Sequence, residues 1–504
     1  MTLFPDFAAF ERGWAAGQNQ LVYARLAADL DTPVSLMLKL AEARTDPFML
    51  ESVTGGEVRG RYSIVGMKPD LIWQCHGHIS RINREARFDP AAFTELPGHP
   101  LDTLRALIAE SRIEMPEGVP AVAAGLFGYL GYDMIRLVEH LPNVNPDPLG
   151  LPDAQLMRPS VIAVLDGVKG EVTVCAPAWV APHQSARAAY AQAAERVMDA
   201  LRDLDRAPPA QRDLGEGAAD AVGEPVSNFT HEGYKQAVEK AKDYIRAGDI
   251  FQVVPSQRWT QRFELPPFAL YRSLRRTNPS PFMFFFNFGG FQVIGASPEI
   301  LVRLRGGEVT IRPIAGTRKR GATEAEDKAL EADLLSDQKE LAEHLMLLDL
   351  GRNDVGRVAK VGTVKPTEKF IIERYSHVMH IVSNVVGQIR DDQDALSALL
   401  AGLPAGTVSG APKVRAMEII DELEPEKRGV YGGGVGYFAA NGEMDFCIAL
   451  RTAVLKDQKL YIQSGGGVVY DSDPEAEFQE TVNKSNALRR AAADAGLFTR
   501  RGNG

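Results

Sequence analysis

Val161-Ile162-Ala163-Val164-Leu165-Asp166-Gly167-Val168-Lys169-Gly170-Glu171-Val172-Thr173-Val174 reads as two strands and the turn between them. Both ends are rich in β-branched residues, which pack well on a pleated surface. Asp166-Gly167 and Lys169-Gly170 supply the residues of a tight reversal, so the spacing predicts a hairpin and antiparallel pairing. Downstream, 184–204 reads as a helix, with Ala186, Tyr190, Ala194, Val197 and Leu201 on one face. From Ala207 to Ser227 the chain is rich in Ala, Pro, Gly and Asp without periodicity, which predicts a linker. The expected division is residues 1–206, a linker over 207–228, and residues 229–504.

Order resumes at Thr230, a helix N-cap followed by Tyr234, Val238, Ala241 and Ile245 at helical spacing and by Gly248 as the stop. Residues 250–254 read as a buried strand. Short strands follow at 283–288, 291–295, 308–312 and 459–463. They lie too close together, with too many turns, for repeated βαβ units. The expected class is α+β with antiparallel sheets.

Bulk properties narrow the function. The chain has 504 residues, 45% apolar and 24% charged, which is globular composition for more than one domain. Its net charge of −10 argues against a general nucleic-acid or membrane-surface binder. The spacing of Cys75, Cys175 and Cys447 fits neither a disulfide framework nor a zinc site, so a cytoplasmic setting is expected. No signal peptide is visible in MTLFPDFAAFERG, and no apolar run is long enough to span a membrane.

Several stretches carry candidate chemistry. Glu340 and Glu343 share a helix face, and Glu477 and Glu480 repeat the spacing. Either the two pairs are solvated faces, or they converge on a hard cation such as Mg²⁺. Gly465-Gly466-Gly467 is either a turn or a place where a ligand approaches the backbone. Asp473-Pro474 then starts the helix that carries the second carboxylate pair. Residues 406–413 lead into another helix, which Ser409 or Gly410 caps; its free N–H groups are either an anion site or the start of an ordinary capped helix. Glu299 ends a strand, as a solvated acid or a general acid. His380 follows an apolar run, as a core residue or a functional one.

Taken together these stretches resemble the chorismate-utilising enzymes, closest to their anthranilate-forming large subunits. The resemblance rests on Asp249 to Ser256, Asn278 to Met283, Gly295 to Glu299, Pro313 to Arg318, Lys339 to Asp354, Gly406 to Asp421, Tyr431 to Gly433 and Gly465 to Lys484, in the family's order. Phe48 to Ser52 and Gly60 to Ser63 resemble its N-terminal part. The resemblance implies an antiparallel sandwich with helices outside. It also implies Mg²⁺ on Glu343 and Glu480, supported by Glu340 and Glu477. Substrate contacts fall on Gly316, Thr317, Tyr431, Arg451, Gly465, Gly466, Gly467 and Lys484, and catalytic roles on Glu299, His380 and Thr407. A tryptophan inhibitor site is implied at Glu51, Ser52, Asn278, Pro281, Phe282 and Met283.

Two positions speak to the nucleophile within that resemblance. Isochorismate and salicylate synthases have a water-activating Lys where this chain has Gln252. Aminodeoxychorismate synthases have an attacking Lys where it has Ala315. Neither residue here can do that work, which leaves ammonia adding at C2 of chorismate to give anthranilate and pyruvate. None of the three cysteines lies in a G-x-C-x-G setting, so the ammonia is expected from a separate glutamine amidotransferase subunit (component II). The rivals are an aminodeoxyisochorismate or aminodeoxychorismate synthase and a non-catalytic amino-acid-binding regulator.

Overall fold

The hairpin is present in the computed structural model, which describes residues 2–41, 44–53, 60–207, 221–375 and 378–499. Strands Ala154–Asp166 and Glu171–Ala178 pair antiparallel, with Asp166 opposite Glu171. The Asp166 carboxylate accepts from the backbone N–H groups of Val168 and Lys169 at 3.1 and 3.2 Å, which closes the turn. All thirteen residues of Ala154–Asp166 are buried, so this strand is covered on both faces.

Every strand pairing among the described residues is antiparallel. One run passes from Ser256–Arg262 through Lys459–Gly465, Thr452–Lys456, Gln292–Ser297 and Phe282–Asn287 to Phe48–Glu51 and Tyr62–His76. From Tyr62–His76 it crosses to Ala154–Asp166 and returns through Gly125–Leu130, Gly434–Ala439, Met444–Ile448, Ile300–Arg305, Glu308–Ile311 and Val378–Gln388. The two runs face one another as a sandwich. Phe48 of the first stacks on Phe127 of the second with ring centroids 4.6 Å apart, inside a core that also holds Phe284, Phe286, Val293 and Val435. Strands from before residue 207 and after residue 229 therefore share one sheet, through Glu51 opposite Met283 and Leu130 opposite Gly434.

Helices cover the outside. Ala186–Leu204 starts two residues later than its periodicity implies, because Ser185 caps it by accepting from Ala188 N at 3.2 Å. His231–Ala247 has the Thr230 cap and a left-handed Gly248 stop, as its sequence predicts. Gln338–Val358 lies on strand Val378–Gln388, with His344 against Ser383, Gly351 near Val385 and Val355 near Gly387. Among the described residues no helix is long and apolar enough to cross a membrane.

Three expectations need correction. The stretch 250–254 forms only a two-residue strand, Gln252–Val253, paired with Gly410–Ala411, and Phe251 is exposed. The helix after 406–413 begins at Lys413 with Pro412 as its N-cap and no side-chain capping bond, so neither Ser409 nor Gly410 caps it. Both departures share a cause: Gly410 and Ala411 are engaged in strand pairing one step before the helix can start. In the linker, residues 208–220 lie outside the described residues, while Val226–Ser227 is a short strand against Trp259 and Thr260.

Candidate active site

Two helices bring the paired carboxylates to the glycine loop. In Gln338–Val358, Asp337 caps the first turn by accepting from Lys339 N and Glu340 N. Glu340 Oε1 accepts from Arg318 Nη1 at 3.2 Å. Its other oxygen crowds Gly316, where a Cβ would sit 3.2 Å away, and Gly316 has φ +70°. A side chain at 316 would meet both the steric contact and the left-handed backbone. One turn on, burial raises the Glu343 pKa, and the neighbouring Glu340 and Glu480 charges add to it. Lys484 and a hydrogen bond from Gln252 oppose the rise.

The second helix, Pro474–Ala493, has the Asp473 cap and Pro474 at its first position that its sequence predicts. Glu477 Oε1 accepts from Ser472 Oγ at 2.7 Å, while Glu477 Oε2 is buried without a hydrogen-bond partner. Burial raises its pKa. Glu480 pairs with Lys484 at 2.6 Å, and Lys484 also donates to Gly465 O at 3.1 Å. The glycines are needed for close approach. A Cβ on Gly466 would lie 3.0 Å from Glu477 Oε2, and one on Gly467 would lie 2.6 Å from Gln252 Nε2. Tyr431 brings its hydroxyl against Gly465, and burial pushes its pKa to about 12, so it stays protonated.

The reactive groups line the adjoining strands. Glu299 sits in the turn between strands Gln292–Ser297 and Ile300–Arg305 and is buried. Burial pushes its carboxyl up from 4.5 to about 8, against the backbone N–H of Ile314 and the nearby Thr407 hydroxyl. Thr407 Oγ1 faces that carboxyl without completing a well-formed hydrogen bond. His380 Nδ1 lies 3.0 Å from Gly316 O and 3.0 Å from Thr317 Oγ1. Burial lowers its pKa, so the ring is neutral near pH 7. With Nδ1–H donated to the Gly316 carbonyl, Nε2 keeps its lone pair. Arg451 is held in left-handed backbone at φ +48° and makes no ion pair among the described residues, although burial lowers its pKa. A desolvated guanidinium without a counter-ion is a place for a ligand carboxylate.

The donor set around the glycine loop is all oxygen, which suits a hard cation. Among the described residues no three acidic, His or Cys groups close into a ready-made metal cage. The orphaned Glu477 Oε2 and the like charges crowding Glu343 nevertheless fit a cation held by one or two carboxylates, with water and substrate completing the shell.

The inhibitor candidates lie elsewhere. Glu51, Ser52, Pro281, Phe282 and Met283 line a cavity of about 720 Å³ between the two runs of strands. Asn278 does not line it. It ends the helix Pro267–Thr277, and its Nδ2 is buried without a partner. The Glu51 carboxylate is held by Arg275 at 2.6 and 3.1 Å and by the Tyr271 hydroxyl. The far wall of the cavity includes Pro298, Ile300, Ile314 and Tyr375. The first two flank Glu299, Ile314 donates to it, and Tyr375 packs edge-on against His380 at 5.5 Å.

One supporting feature was invisible in the sequence. Glu424 and Arg428 are both buried and paired at 2.6 Å. Arg428 donates to the Val254 and Val408 carbonyls and lies over the rings of Tyr132 and Tyr431. Glu424 accepts from Ser256 N at 2.7 Å and Ser256 Oγ at 2.8 Å. The pair ties together the segments that carry Gln252, Thr407 and Tyr431. In sequence it is an ordinary charge cluster at a helix end, and nothing there signals burial.

Comparison with known proteins is consistent with this geometry. Residues 46–490 match the model of the family described as chorismate binding enzyme. Anthranilate synthase component 1 of Cereibacter sphaeroides is 87% identical over 500 residues, covering 99% of this chain and all of the relative. The protein of the same name from Pseudomonas putida is 50% identical, covering 96% and 97%. The crystal structure of anthranilate synthase component I from Streptococcus pneumoniae superposes with a TM-score of 0.76 at 38% identity, covering 92% of this chain and 99% of that one. The chain belongs to the chorismate-binding enzyme family, in its anthranilate synthase component 1 branch.

Proposed function

We propose that this chain converts chorismate and ammonia to anthranilate, pyruvate and water, as the large subunit of a two-component lyase in tryptophan biosynthesis. The observation that carries the reading is Glu299, a buried carboxyl kept protonated at neutral pH within a site that also holds the desolvated Arg451 guanidinium, which makes no ion pair among the described residues. Arg451 grips a substrate carboxylate. The protonated Glu299 gives its proton to the departing C4 hydroxyl as ammonia forms its bond at C2. His380 Nε2 accepts a proton as pyruvate leaves and the ring aromatises. The loop Gly465 to Gly467, with Lys484 and Tyr431, orients the substrate. Gln252 and Ala315 supply neither a base for water nor an amine of their own.

Mg²⁺ would be held by Glu343 and Glu480 with Glu340 and Glu477 in support, and there it would supply positive charge to neutralise the ring carboxylate and withdraw electrons from the ring. The three cysteines are buried, and burial raises each thiol pKa, so none is placed as a glutaminase nucleophile. Ammonia is therefore supplied by a glutamine amidotransferase subunit, in the cytoplasm, where free thiols persist. Tryptophan inhibits from the cavity at Ser52, Pro281, Phe282 and Met283, whose far wall backs Glu299 and His380.

The test is purified chain with chorismate, Mg²⁺ and an ammonium salt, followed by anthranilate fluorescence and by pyruvate release. Both products are expected, with none from glutamine until the partner is added. An aminated product that retains the enolpyruvyl group would overturn the assignment in favour of an aminodeoxyisochorismate synthase.

A further inference from the structure

Tyr375 follows strand Lys365–Arg374, whose Glu373 lies directly opposite His380 in the neighbouring strand. Each polar atom of the residue has a partner. Its N–H donates to Val378 O at 2.8 Å, and its carbonyl accepts from Arg320 Nη1 at 2.8 Å. Arg320 is in turn fixed by both carboxylate oxygens of Asp327, at 2.8 and 2.9 Å. At the other end of the residue the phenol donates to Glu373 Oε2 at 3.0 Å, and Arg312 grips that carboxylate at 2.6 and 2.8 Å. Two charge-assisted clamps, one at the backbone and one at the hydroxyl, hold the ring between them.

The ring so held packs edge-on against His380, with centroids 5.5 Å apart and planes at 64°. The Nδ1 contacts of His380 with Gly316 O and Thr317 Oγ1 pin one edge of the imidazole, and they leave the direction of Nε2 to the groups packed on the ring. Tyr375 also lines the cavity of about 720 Å³, so its ring stands between the imidazole and that space. Burial is the largest influence on His380 and lowers its pKa. The Gly316 carbonyl and Glu373 act to raise it, and Arg451 lowers it further. A wall that keeps cavity water off the imidazole sustains the largest of these influences.

We propose that Tyr375 is a positioning residue for His380: its clamped ring aims Nε2 and shuts the imidazole off from the cavity. This rests on the reading above that His380 accepts a proton as pyruvate leaves. The test measures kcat, KM for chorismate and the pH dependence of kcat/KM, with free ammonia held constant, for wild type, Tyr375→Phe, Tyr375→Leu and His380→Ala. Phe keeps the ring and loses the hydroxyl anchor, so it is expected to keep the wild-type acid limb, with kcat within about twofold. Leu removes the ring and admits water. It is expected to lower kcat by about three- to tenfold, the worth of an aromatic pair, with KM nearly unchanged. Neutral imidazole is the working form, so the relaxed burial should move the acid limb up toward pH 6.5, the value of a solvated His. Tyr375→Met, an unbranched side chain without a ring, repeats this arm should Leu lower the melting temperature. A wild-type acid limb in a folded Leu or Met variant would overturn the proposal, as would a loss in Phe equal to that in Leu. A rise in KM with kcat unchanged would also overturn it and make Tyr375 a substrate contact. An acid limb that survives His380→Ala would instead refute the reading of His380 itself.

Discussion

Replacing Glu299 with Gln should slow catalysis sharply and yet stabilise the fold, increasingly so as pH rises. Burial lifts the Glu299 carboxyl from 4.5 to about 8. Its folded pKa lies above its unfolded value, so between those two values the unfolded chain binds fewer protons than the folded one. Stability therefore falls with rising pH, by about 1.4 kcal/mol per pH unit. At pH 7 that penalty is about 3 kcal/mol, and above pH 8 it levels off near about 5 kcal/mol. Gln carries no such linkage. Its carbonyl can still accept from Ile314 N–H, and its amide can donate to the orphaned Thr407 Oγ1. Urea unfolding of both proteins at pH 5, 6, 7 and 8 reads the effect as a widening gap in midpoint. Turnover with ammonium should fall by about 10²- to 10⁴-fold, the usual contribution of a general acid. A gap that stays constant with pH, or a variant less stable than wild type at pH 8, would refute the buried neutral carboxyl.

Four further outcomes are expected. Because burial lowers the His380 pKa, the acid limb of kcat/KM should lie below pH 6.5, and His380→Ala should remove that limb while slowing pyruvate release. Arg428→Met leaves the Glu424 carboxylate buried without its partner and should cost about 3–5 kcal/mol, read as a lower melting temperature. Ser52→Phe intrudes on the 720 Å³ cavity and should relieve tryptophan inhibition without changing ammonium-driven turnover; equal inhibition of variant and wild type would remove Ser52 from the inhibitor site. Glu343→Gln should raise the Mg²⁺ concentration needed for half-maximal turnover, and an unaltered requirement would take Glu343 out of the metal shell.

The hairpin at 161–174, the Thr230 and Asp473 caps, the Gly248 stop and the spacing of both carboxylate pairs were legible in sequence. Each is set by rules acting over a few residues: turn chemistry, backbone conformation at glycine, and the period of a helix. The ordered motifs extended that reading to the family, because many local constraints in one order identify a shared site. Residues 250–254 went wrong for the same reason. Apolar composition spoke for a buried strand, but only pairing partners from distant segments decide which residues are covered, and they left Phe251 out.

Tertiary structure alone decided the electrical state of the site. Glu299, Glu477 and Glu475 are the same residue type, and only the surroundings keep the first protonated, orphan an oxygen of the second, and lower the pKa of the third through the Gln479 hydrogen bond and the nearby His231. The same holds for Arg428, neutralised by Glu424, and Arg451, left without a counter-ion among the described residues. Sequence specifies which groups are present and how neighbours along the chain are spaced. The proton affinity and reach of each group depend on desolvation and on charges brought near by folding, so the chemistry of the paired carboxylates became readable only once two helices met the glycine loop.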